Sequence, residues 1–531
     1  MKKRQQSKYI ETMENRQQLR FRMDNKICTR VNGLVREASA QLEELDYTEL
    51  YRAYSEGIRK SQIEPRIIFK VLVCAYMKGV YSSRKIEELC RENIQFIWLL
   101  EDQRYPDHCA IARFRSGKRT QGAIEHLFYQ YAALLEKQGF TEHKEVFIDG
   151  TKLESKANKY TFVWRTTVEK QLAKIKQKAK ELLALENGNS TKKKLESEIA
   201  RLDKEIAEQG LCVKRGRGHH KPEPVRRRDA LRDLNKRWED YEEKQATFGD
   251  SRRSFSKTDP DATFMHMKED HMRNGQLKPG YNVQIAVNSE FITGIGVFSN
   301  RTDYGTLIPF LSAVEQKHGE KYAKIVADSG YESLENYRYL QSQGQQAFIK
   351  PNDFKSSRTK KFKARIGRRE NMAYYEPEDC FICKNGQHLD CYAAYNESAK
   401  SRETRTVSHY RCEDCTGCPY RAQCCQAKDV NQPKEIAVCW EMVERREESL
   451  RNITTDEGKL LRVNRSIQVE GAFGQLKHNR QFKRFLTGGN CNVTAELYFL
   501  ALSQNIAKRI SKCNSGKQKV HLLQPKALLK F

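Results

Sequence analysis

The first quarter of the chain has apolar residues at helical spacing. Through YTELYRAYSEGIRKSQIEPRIIFKVLVCAYMKGV they recur every three to four residues, without the strict alternation that is typical of strands. In the segment that follows, YSSRKIEELCRENIQFIWLL, Ser82 and Ser83 are good helix N-caps and Glu87 comes shortly after them. The pattern predicts a helical domain over residues 1–140.

A second helical region has a coiled-coil pattern. Residues 165–209 are rich in Lys, Glu, Ala and Leu, with apolar positions stepping by four, three and four. These positions are Leu195, Ile199, Leu202 and Ile206. NGNST at 187–191 interrupts the pattern and predicts an antiparallel helical hairpin. Residues 211–258 are basic and contain scattered Gly and Pro, so KRGRGHHKPEPVRRR is predicted to be a loop, either against a phosphate backbone or as a flexible linker.

From Pro279 onward the pattern changes to strands and helices. YNVQIAV and FITGIGVF are rich in β-branched residues, and the NSE between them predicts a hairpin. The chain then predicts a helix (TLIPFLSAVEQK), a strand (KIVAD), a helix (LENYRYLQSQ) and a strand (QAFIK). With the apolar run 146–148 as the first strand, this order predicts a mixed sheet with helices on its faces. Residues 155–278 would be an insertion between its first two strands.

Charge changes the picture of what the protein binds. The chain has 531 residues, enough for several domains, and its 96 Lys and Arg against 69 Asp and Glu give a net charge of +27. This excess indicates a polyanionic partner, and nucleic acid is favoured over a membrane surface because no lipidation motif or basic amphipathic anchor is present. Arg84 and Lys85, at a predicted helix start, would then suit DNA contact by a helix-turn-helix. Helical domains without that function share the pattern.

Two predicted strands each end in an aspartate. Asp149 follows an apolar run and precedes Gly150, while Asp328 follows KIVA and has Gly330 after it. Because open α/β sheets bind ligands outside the carboxyl ends of their strands, the two carboxylates are predicted to share one sheet edge. Either Asp alone would more commonly be an N-cap or turn residue. As a pair in a basic protein they favour a divalent cation, Mg²⁺ or Mn²⁺.

A third acid lies in RSIQVEGAFGQLKHN. If residues 463–480 are helical, Glu470, Gly474 and Lys477 lie on one face. The glycine would admit a phosphodiester, with Glu470 completing the metal site and Lys477 holding DNA. Lys152 is another candidate for the DNA backbone, with an ordinary surface lysine as the alternative.

The cysteines cluster in one region. The chain has 16, and without an apolar signal segment they are expected to be reduced. CFIC is followed about thirty residues later by CEDCTGCPYRAQC, and two such pairs predict a zinc ribbon. An iron–sulfur cluster and a small domain of ordinary reduced cysteines stay open as alternatives. The candidate ligands are Cys380, Cys383, Cys412, Cys415, Cys418 and Cys424.

Together these blocks resemble those of bacterial insertion-sequence transposases of the DDE superfamily. The similarity is to the group with a helical N-terminal transposase domain and a Cys-rich insertion before the last acid, and it spans roughly residues 20–510. It is carried by FIDGTKLESKANKYTFVWR, DPDATFMHMK, KPGYNVQIAV, VADSGYES, YRCEDCTGCPYRAQC and RSIQVEGAFGQLKHN. One departure is Cys383-Lys384, where the group has Cys-Pro.

The resemblance implies a fold and a site. The fold is an α/β RNase H-like core with a helical N-terminal domain, a coiled-coil insertion and a Cys-rich insertion. The implied triad is Asp149, Asp328 and Glu470, which would hold divalent metal for DNA cleavage and strand transfer. Lys477 matches the basic residue seven positions after the last acid. The expected domains are 1–140, 141–154 with 279–351 as the first part of the core, 155–278, 352–440, 441–512 and a basic tail, 513–531.

The expected partners are double-stranded DNA, as terminal inverted repeats and target, and a second copy of the chain in a dimer on DNA. A membrane is not expected, since no apolar run reaches about eighteen residues. The expected location is the bacterial cytoplasm, on the nucleoid when bound to DNA. The alternatives are a non-catalytic DNA-binding regulator derived from a transposase, or a metal-dependent nuclease that cuts without joining.

Overall fold

The computed structural model describes residues 33–55, 63–183, 191–211, 221–249, 252–267, 276–398, 404–425, 429 and 432–524. Parts of four predicted features lie outside these residues: the start of the N-terminal domain, most of the NGNST break, the first half of the basic loop and the end of the basic tail. The chain divides into two compact units. The smaller contains the described residues up to Leu135 and Tyr498–Lys519, and the larger contains Glu136–Leu497 and the residues from Val520 on.

The smaller unit is helical, as predicted. Its helix α3 is buried over nearly its whole length because twelve of its thirteen residues pack inside the unit. Even Lys70 on this helix is only 2% exposed, with its Nζ 2.5 Å from Glu43 and 2.7 Å from Glu101. The described helices before the first strand are α1 (Leu34–Leu42), α2 (Thr48–Ser55), α3 (Pro65–Met77), α4 (Ser83–Glu92), α5 (Ile94–Leu99), α6 (His108–Ser116) and α7 (Lys118–Lys137).

The last helix of the chain completes this unit. The ring of Phe499 lies 5.5 Å from that of Phe69 and 5.6 Å from that of Tyr76, and Tyr498 lies 5.0 Å from Phe128. Aromatic contacts of this kind add to the free energy gained by burial. Residues 498–514 of this helix therefore belong to the smaller unit, and the expected domain boundaries, with 441–512 as one part, stay predictions.

The larger unit is built on a mixed sheet with the predicted element order. Its strands run β4-β5-β1-β7-β8, and β6 also pairs with β5. Strand β1 is antiparallel to β5 and parallel to β7, which is parallel to β8. The described strands of this unit up to β8 are β1 (Glu145–Glu154), β2 (Phe162–Trp164), β3 (Ser254–Ser256), β4 (Thr263–His266), β5 (Leu277–Asn288), β6 (Phe291–Phe298), β7 (Lys324–Ala327) and β8 (Gln346–Ile349).

One face of this sheet packs on two helices. Apolar side chains of β1 and β7 at alternate positions, such as Val146, Ile148 and Ile325, form a core with these helices. The alternation explains the pattern, since side chains of a strand point to opposite faces in turn. The described helices between β1 and β8 are α8 (Arg165–Leu182), α9 (Thr191–Glu208), α10 (Glu223–Phe248), α11 (Leu307–His318) and α12 (Leu334–Ser342).

The helical insertion contains three described helices rather than a hairpin and a loop. The predicted seam is confirmed, with Leu195 and Leu202 buried in its core. However, the prediction of a loop through residue 228 is wrong, because α10 begins at Glu223 and packs against both α8 and α9. Its apolar residues Leu231, Leu234 and Trp238 are spaced by three and four, a narrow stripe among many charges.

The Cys-rich region forms a second, antiparallel sheet. The order is β13-β12-β11-β10-β9, and Phe381, Leu389 and Tyr410 form its core. The strands are β9 (Ala373–Tyr375), β10 (Cys380–Ile382), β11 (His388–Ser398), β12 (Thr404–Cys412) and β13 (Glu435–Val438), with short helices α13 (Lys360–Lys363) and α14 (Arg421–Cys424). The chain then forms α15 (Trp440–Thr454), α16 (Asp456–Arg465), α17 (Gly471–Gly474) and α18 (Asn490–Asn514).

Candidate functional site

Asp149 lies inside its strand, which corrects the prediction that it ends one. Strand β1 continues to Glu154 because β5 pairs with it along this length, Gly150 standing opposite Gln284. What stops near Asp149 is the parallel ladder with β7, whose last pair is Phe147 with Val326. The Asp149 carboxylate therefore lies where β1 no longer pairs with β7 but still pairs with β5.

Both aspartates come just after the ladder between β1 and β7. Asp149 follows Phe147 by two residues and Asp328 follows Val326 by two, so each stands two residues beyond the last pair, and strand alternation would direct both side chains to the same face of the sheet. Asp328 also caps the 3-10 turn Ser329–Tyr331, since its Oδ1 accepts a hydrogen bond from the Gly330 amide at 2.8 Å. Asp328 can therefore cap this turn and also belong to the candidate site.

An arginine neutralises part of this charge. Arg465, the last residue of α16, places Nη1 3.1 Å from Asp149 Oδ2, and both side chains are about 15% exposed or less. The nearby phenol of Tyr331 reports the concentration of acids, because burial and then the charges of Asp303, Asp149 and Asp328 raise its pKa well above the usual value. Three carboxylates thus act on one buried ring.

The third of these carboxylates, Asp303, was missed by the sequence analysis. Its Oδ1 accepts hydrogen bonds from Asn282 Nδ2 at 2.7 Å and from Gln284 Nε2 at 3.0 Å. By strand alternation this network lies on the Gly150 side of β1, the face opposite to Asp149. The signal in the sequence was the pair of polar residues inside YNVQIAV, since Asn282 and Gln284 are both almost fully buried.

The absence of a side chain at Gly150 makes room for this network. A Cβ there would stand 2.4 Å from Gln284 Nε2 and 2.8 Å from Asp303 Oδ1. We therefore expect Gly150→Ala to lower the free energy of unfolding by about 1–3 kcal/mol, the usual cost of overpacking. Denaturant unfolding measures it, with Gly122→Ala as control because a Cβ there meets nothing within 4 Å. Equal stability of the two variants would contradict this account.

Glu470 stands further along the helix that supplies Arg465. The helix continues past α16 through a π-helical turn, Ser466–Glu470, which packs on β1 and β5. Because π-helical hydrogen bonds join residues five apart, Arg465 and Glu470 stand one turn apart on the same side. Glu470 itself is exposed. The predicted helix is thus confirmed. However, its two π turns change which residues share one side of the helix, compared with regular α-helical spacing.

The remaining predicted DNA contacts are spread over the chain. Lys477 is partly buried in the second π turn, Gln475–Asn479, and Lys152 lies in β1 opposite Asn282. Arg84 and Lys85 are exposed in the first turn of α4, after its N-cap Ser82. Their roles stay predictions.

A group of basic residues that the sequence analysis did not single out lies beside Asp328. Burial and then the charges of Lys355 and Arg465 lower the pKa of Lys350, while Asp328 opposes them. The aromatic ring of Phe354 holds two more cations, with the guanidinium carbons of Arg358 and Arg462 at 4.4 and 5.0 Å from its centre. We call Lys350, Lys355, Arg358, Arg462 and Arg465 the basic cluster.

The cysteine-rich region has a separate small cavity of about 20 Å³. The thiols that line it belong to Cys383, Cys412, Cys415, Cys418, Cys424 and Cys425. Burial, and then hydrogen bonding and charge from the Cys415 thiol, raise the pKa of Cys412 to about 12. Five of the six predicted ligands therefore surround one cavity, and Cys425 joins them.

Cys380 does not line this cavity, although it was predicted to share a metal site with Cys383. Its Sγ lies 3.6 Å from His388 Nδ1, next to Glu378. The reason is the strand: residues 380–382 form β10, and Cys383 begins the turn that follows, where its amide donates to the Gln387 carbonyl. A C-x-x-C spacing brings two thiols together in a tight turn, and here a strand occupies that spacing.

Two families of known proteins match parts of the chain. Residues 382–510 match the family described as Transposase DDE domain, and residues 17–117 match Transposase domain (DUF772). No curated protein and no solved structure matches. The first match contains the cavity cysteines and Glu470, while Asp149 and Asp328 precede it.

These matches indicate the class of protein. Residues 17–117 and 382–510 are each similar to a transposase domain, and the larger unit has a mixed sheet with flanking helices. More particularly, they confirm the resemblance to insertion-sequence transposases of the DDE type, a family whose substrate is DNA. Among the described helices, none is long and apolar enough to cross a membrane.

Proposed function

We propose that this transposase cleaves the ends of an insertion sequence and joins them to target DNA through Asp149, Asp328 and Glu470. The observation that supports the proposal is that both aspartates stand two residues beyond the last pair of the β1–β7 ladder, while the π turn that ends in Glu470 packs on β1. The strand order β6-β5-β1-β7-β8 supports an RNase H-like core. Glu470 also lies within the matched Transposase DDE domain.

The donor chemistry of this site fits Mg²⁺ or Mn²⁺. Both are hard cations that prefer carboxylate oxygens, and Asp149, Asp328 and Glu470 would supply them. When bound, the metal would activate the attacking water or 3′-hydroxyl and stabilise the leaving oxygen. Arg465, with Nη1 3.1 Å from Asp149 Oδ2, would stand beside such a metal and balance part of the charge of the same carboxylate.

We propose that the basic cluster binds the DNA strand at this site. Its cations lie beside Asp328, and Phe354 holds Arg358 and Arg462 in place by cation–π contact. Such residues would neutralise the phosphates next to the cleaved bond. Lys477 and Lys152 would add contacts further along the same DNA.

We expect Lys355→Gln to weaken DNA binding at moderate salt and to reduce the slope of log affinity against log salt by about 1, since one phosphate contact is lost. Fluorescence anisotropy over a salt series measures this slope. Lys321→Gln is the matched control, because Lys321 is an exposed lysine just before β7, at the strand end opposite Asp328. Parallel behaviour of the two variants would remove the basic cluster from the DNA path.

For the cysteine-rich region we propose a structural zinc ion held by thiols of the cavity. The donor set supports this, since six thiols face one small space in a sheet with a core of few residues. Cys412 and Cys415 are already in hydrogen-bonding contact. The ion would replace hydrophobic core in a region that connects the sheet to the helix of Glu470.

The DNA that flanks the gene provides the substrate for a test of the proposed activity. Terminal inverted repeats there, used as substrates with Mg²⁺, should be cut at their ends and joined to a second DNA. Cutting without joining would identify a nuclease, and binding without cutting would identify a regulator.

A further inference from the structure

A second group of metal-binding side chains lies near the start of β1. Glu136 is in the last turn of α7, His143 precedes β1 by two residues, and His318 ends α11. One nitrogen of each imidazole and one oxygen of the carboxylate all lie within 4.8 Å of one another. All three residues are partly buried.

The hydrogen bonds of this group resemble those around bound metals. His318 Nε2 lies 2.8 Å from the Thr293 carbonyl, which accepts its hydrogen and directs the other ring nitrogen, Nδ1, away from that carbonyl. Metal-binding histidines commonly donate their second ring nitrogen to a backbone carbonyl, which fixes the tautomer and the ring orientation. The ring of His318 stands 5.4 Å from that of His143.

His143 has one ring nitrogen in a hydrogen-bonded contact and one that is not. Its Nδ1 lies 2.5 Å from Glu136 Oε1 and 3.4 Å from Glu320 Oε2. Its Nε2 is buried and, among the described residues, has no hydrogen-bond partner. A buried polar atom without a partner is costly, and native proteins rarely contain one without a reason.

We propose that Glu136, His143 and His318 bind a divalent transition metal, with zinc the most suitable, and that Glu320 can complete the coordination. Two imidazoles and a carboxylate are a common zinc donor set. Ligand atoms around one such ion stand about 3–4 Å apart, given metal–ligand distances near 2 Å, which is comparable with the 4.8 Å within which these atoms lie. The metal would join the end of α7, the entry to β1 and the end of α11.

The position gives the site a structural consequence. The His143 carbonyl accepts a hydrogen bond from Ala323, and that of Lys144 from Lys324 at 2.9 Å, so this segment begins the pairing of β1 with β7. A metal here would fix the strands that carry Asp149 and Asp328 from their opposite end. This proposal is about metal binding alone, and the result of a DNA cleavage assay neither supports nor contradicts it.

The test is the zinc content of the full chain, purified without a histidine tag and dialysed against micromolar free zinc. The Cys415→Ser background removes the thiol site from the count. We expect this background to retain one zinc per chain, and to lose it in combination with His318→Gln or with Glu136→Gln. The Glu136→Gln substitution guards against a loss of zinc that is caused by misfolding, because the side chain of Glu136 is 36% exposed.

Cobalt identifies the ligands, since thiolate ligands give strong near-ultraviolet absorption and imidazole and carboxylate ligands do not. His126→Gln is the control, because His126 also lies beside a glutamate, with 3.8 Å between His126 Nδ1 and Glu49 Oε2, but is 46% exposed. It should keep the zinc and the zinc-induced rise in melting temperature. Equal zinc content in the background and in both combined variants would overturn the proposal, as would a thiolate spectrum for the retained metal.

Discussion

Asp328→Asn should abolish DNA cleavage, with a loss of at least about 10³-fold, while binding to the transposon ends is retained. The loss has the scale expected for a group that acts in the transition state. The variant is unusually clean because asparagine caps a helix as well as aspartate does, so the hydrogen bond to the Gly330 amide can persist. Only the charge that is proposed to hold the metal is removed. A cleavage assay in Mg²⁺ and a gel shift on the same DNA separate the two effects.

The matched control is Asp107→Asn. Asp107 also caps a helix, accepting from the Ala110 amide, but it lies in the N-terminal helical unit. It should cleave at the wild-type rate. Wild-type cleavage by Asp328→Asn, or an equal loss in both variants, would show that Asp328 serves the fold alone.

Cys415→Ser should remove zinc, expose residues 380–425 to protease and lower cleavage several-fold. Structural zinc contributes on the order of 10 kcal/mol to the folding of such sites, far more than the few core residues of this sheet can replace. The effect on cleavage is indirect, because the region precedes α15 and the helix that leads to Glu470. Elemental analysis and limited proteolysis measure the first two effects.

Two further variants show whether the effect is specific to the cysteines of the cavity or follows the loss of any cysteine. Cys380→Ser should keep the zinc, because Cys380 faces His388 and Glu378 rather than the cavity. Cys109→Ser, at an exposed cysteine of the helical unit, should also be neutral. Full metal content and normal proteolysis in Cys415→Ser would mean that ordinary packing holds the region, and iron in the wild type would replace the zinc assignment with a cluster.

Local patterns predicted the element order of the sheet well. The β-branched residues of β5 and β6 and the short apolar run before Asp328 each reflect burial on strands, which a sequence shows directly. The end of β1 was misjudged for a physical reason. Asp149 and Gly150 look like a turn, but pairing with a strand more than a hundred residues later extends β1 to Glu154.

The errors elsewhere have similar causes. Helix α10 was hidden by its charges, because only a narrow apolar stripe contacts α8 and α9. Asp303 could not be linked to Gly150, since their approach depends on the packing of α11 against the sheet. The basic cluster combines Lys350 with Arg465, which are distant in sequence and meet through the fold. Charge composition predicted that DNA-binding residues exist, but not which ones.

Glu470 is the residue on which the central claim can be tested most directly, because it alone of the three acids comes from a helix and it is exposed. The measurement is strand transfer with pre-cut transposon ends, which bypasses the first cleavage and reports the joining step. Wild-type protein in Mg²⁺ should give the joined product, and Glu470→Gln should give none while binding the same ends with equal affinity. Joining by Glu470→Gln at the wild-type rate would contradict the assignment of the three acids to one metal site.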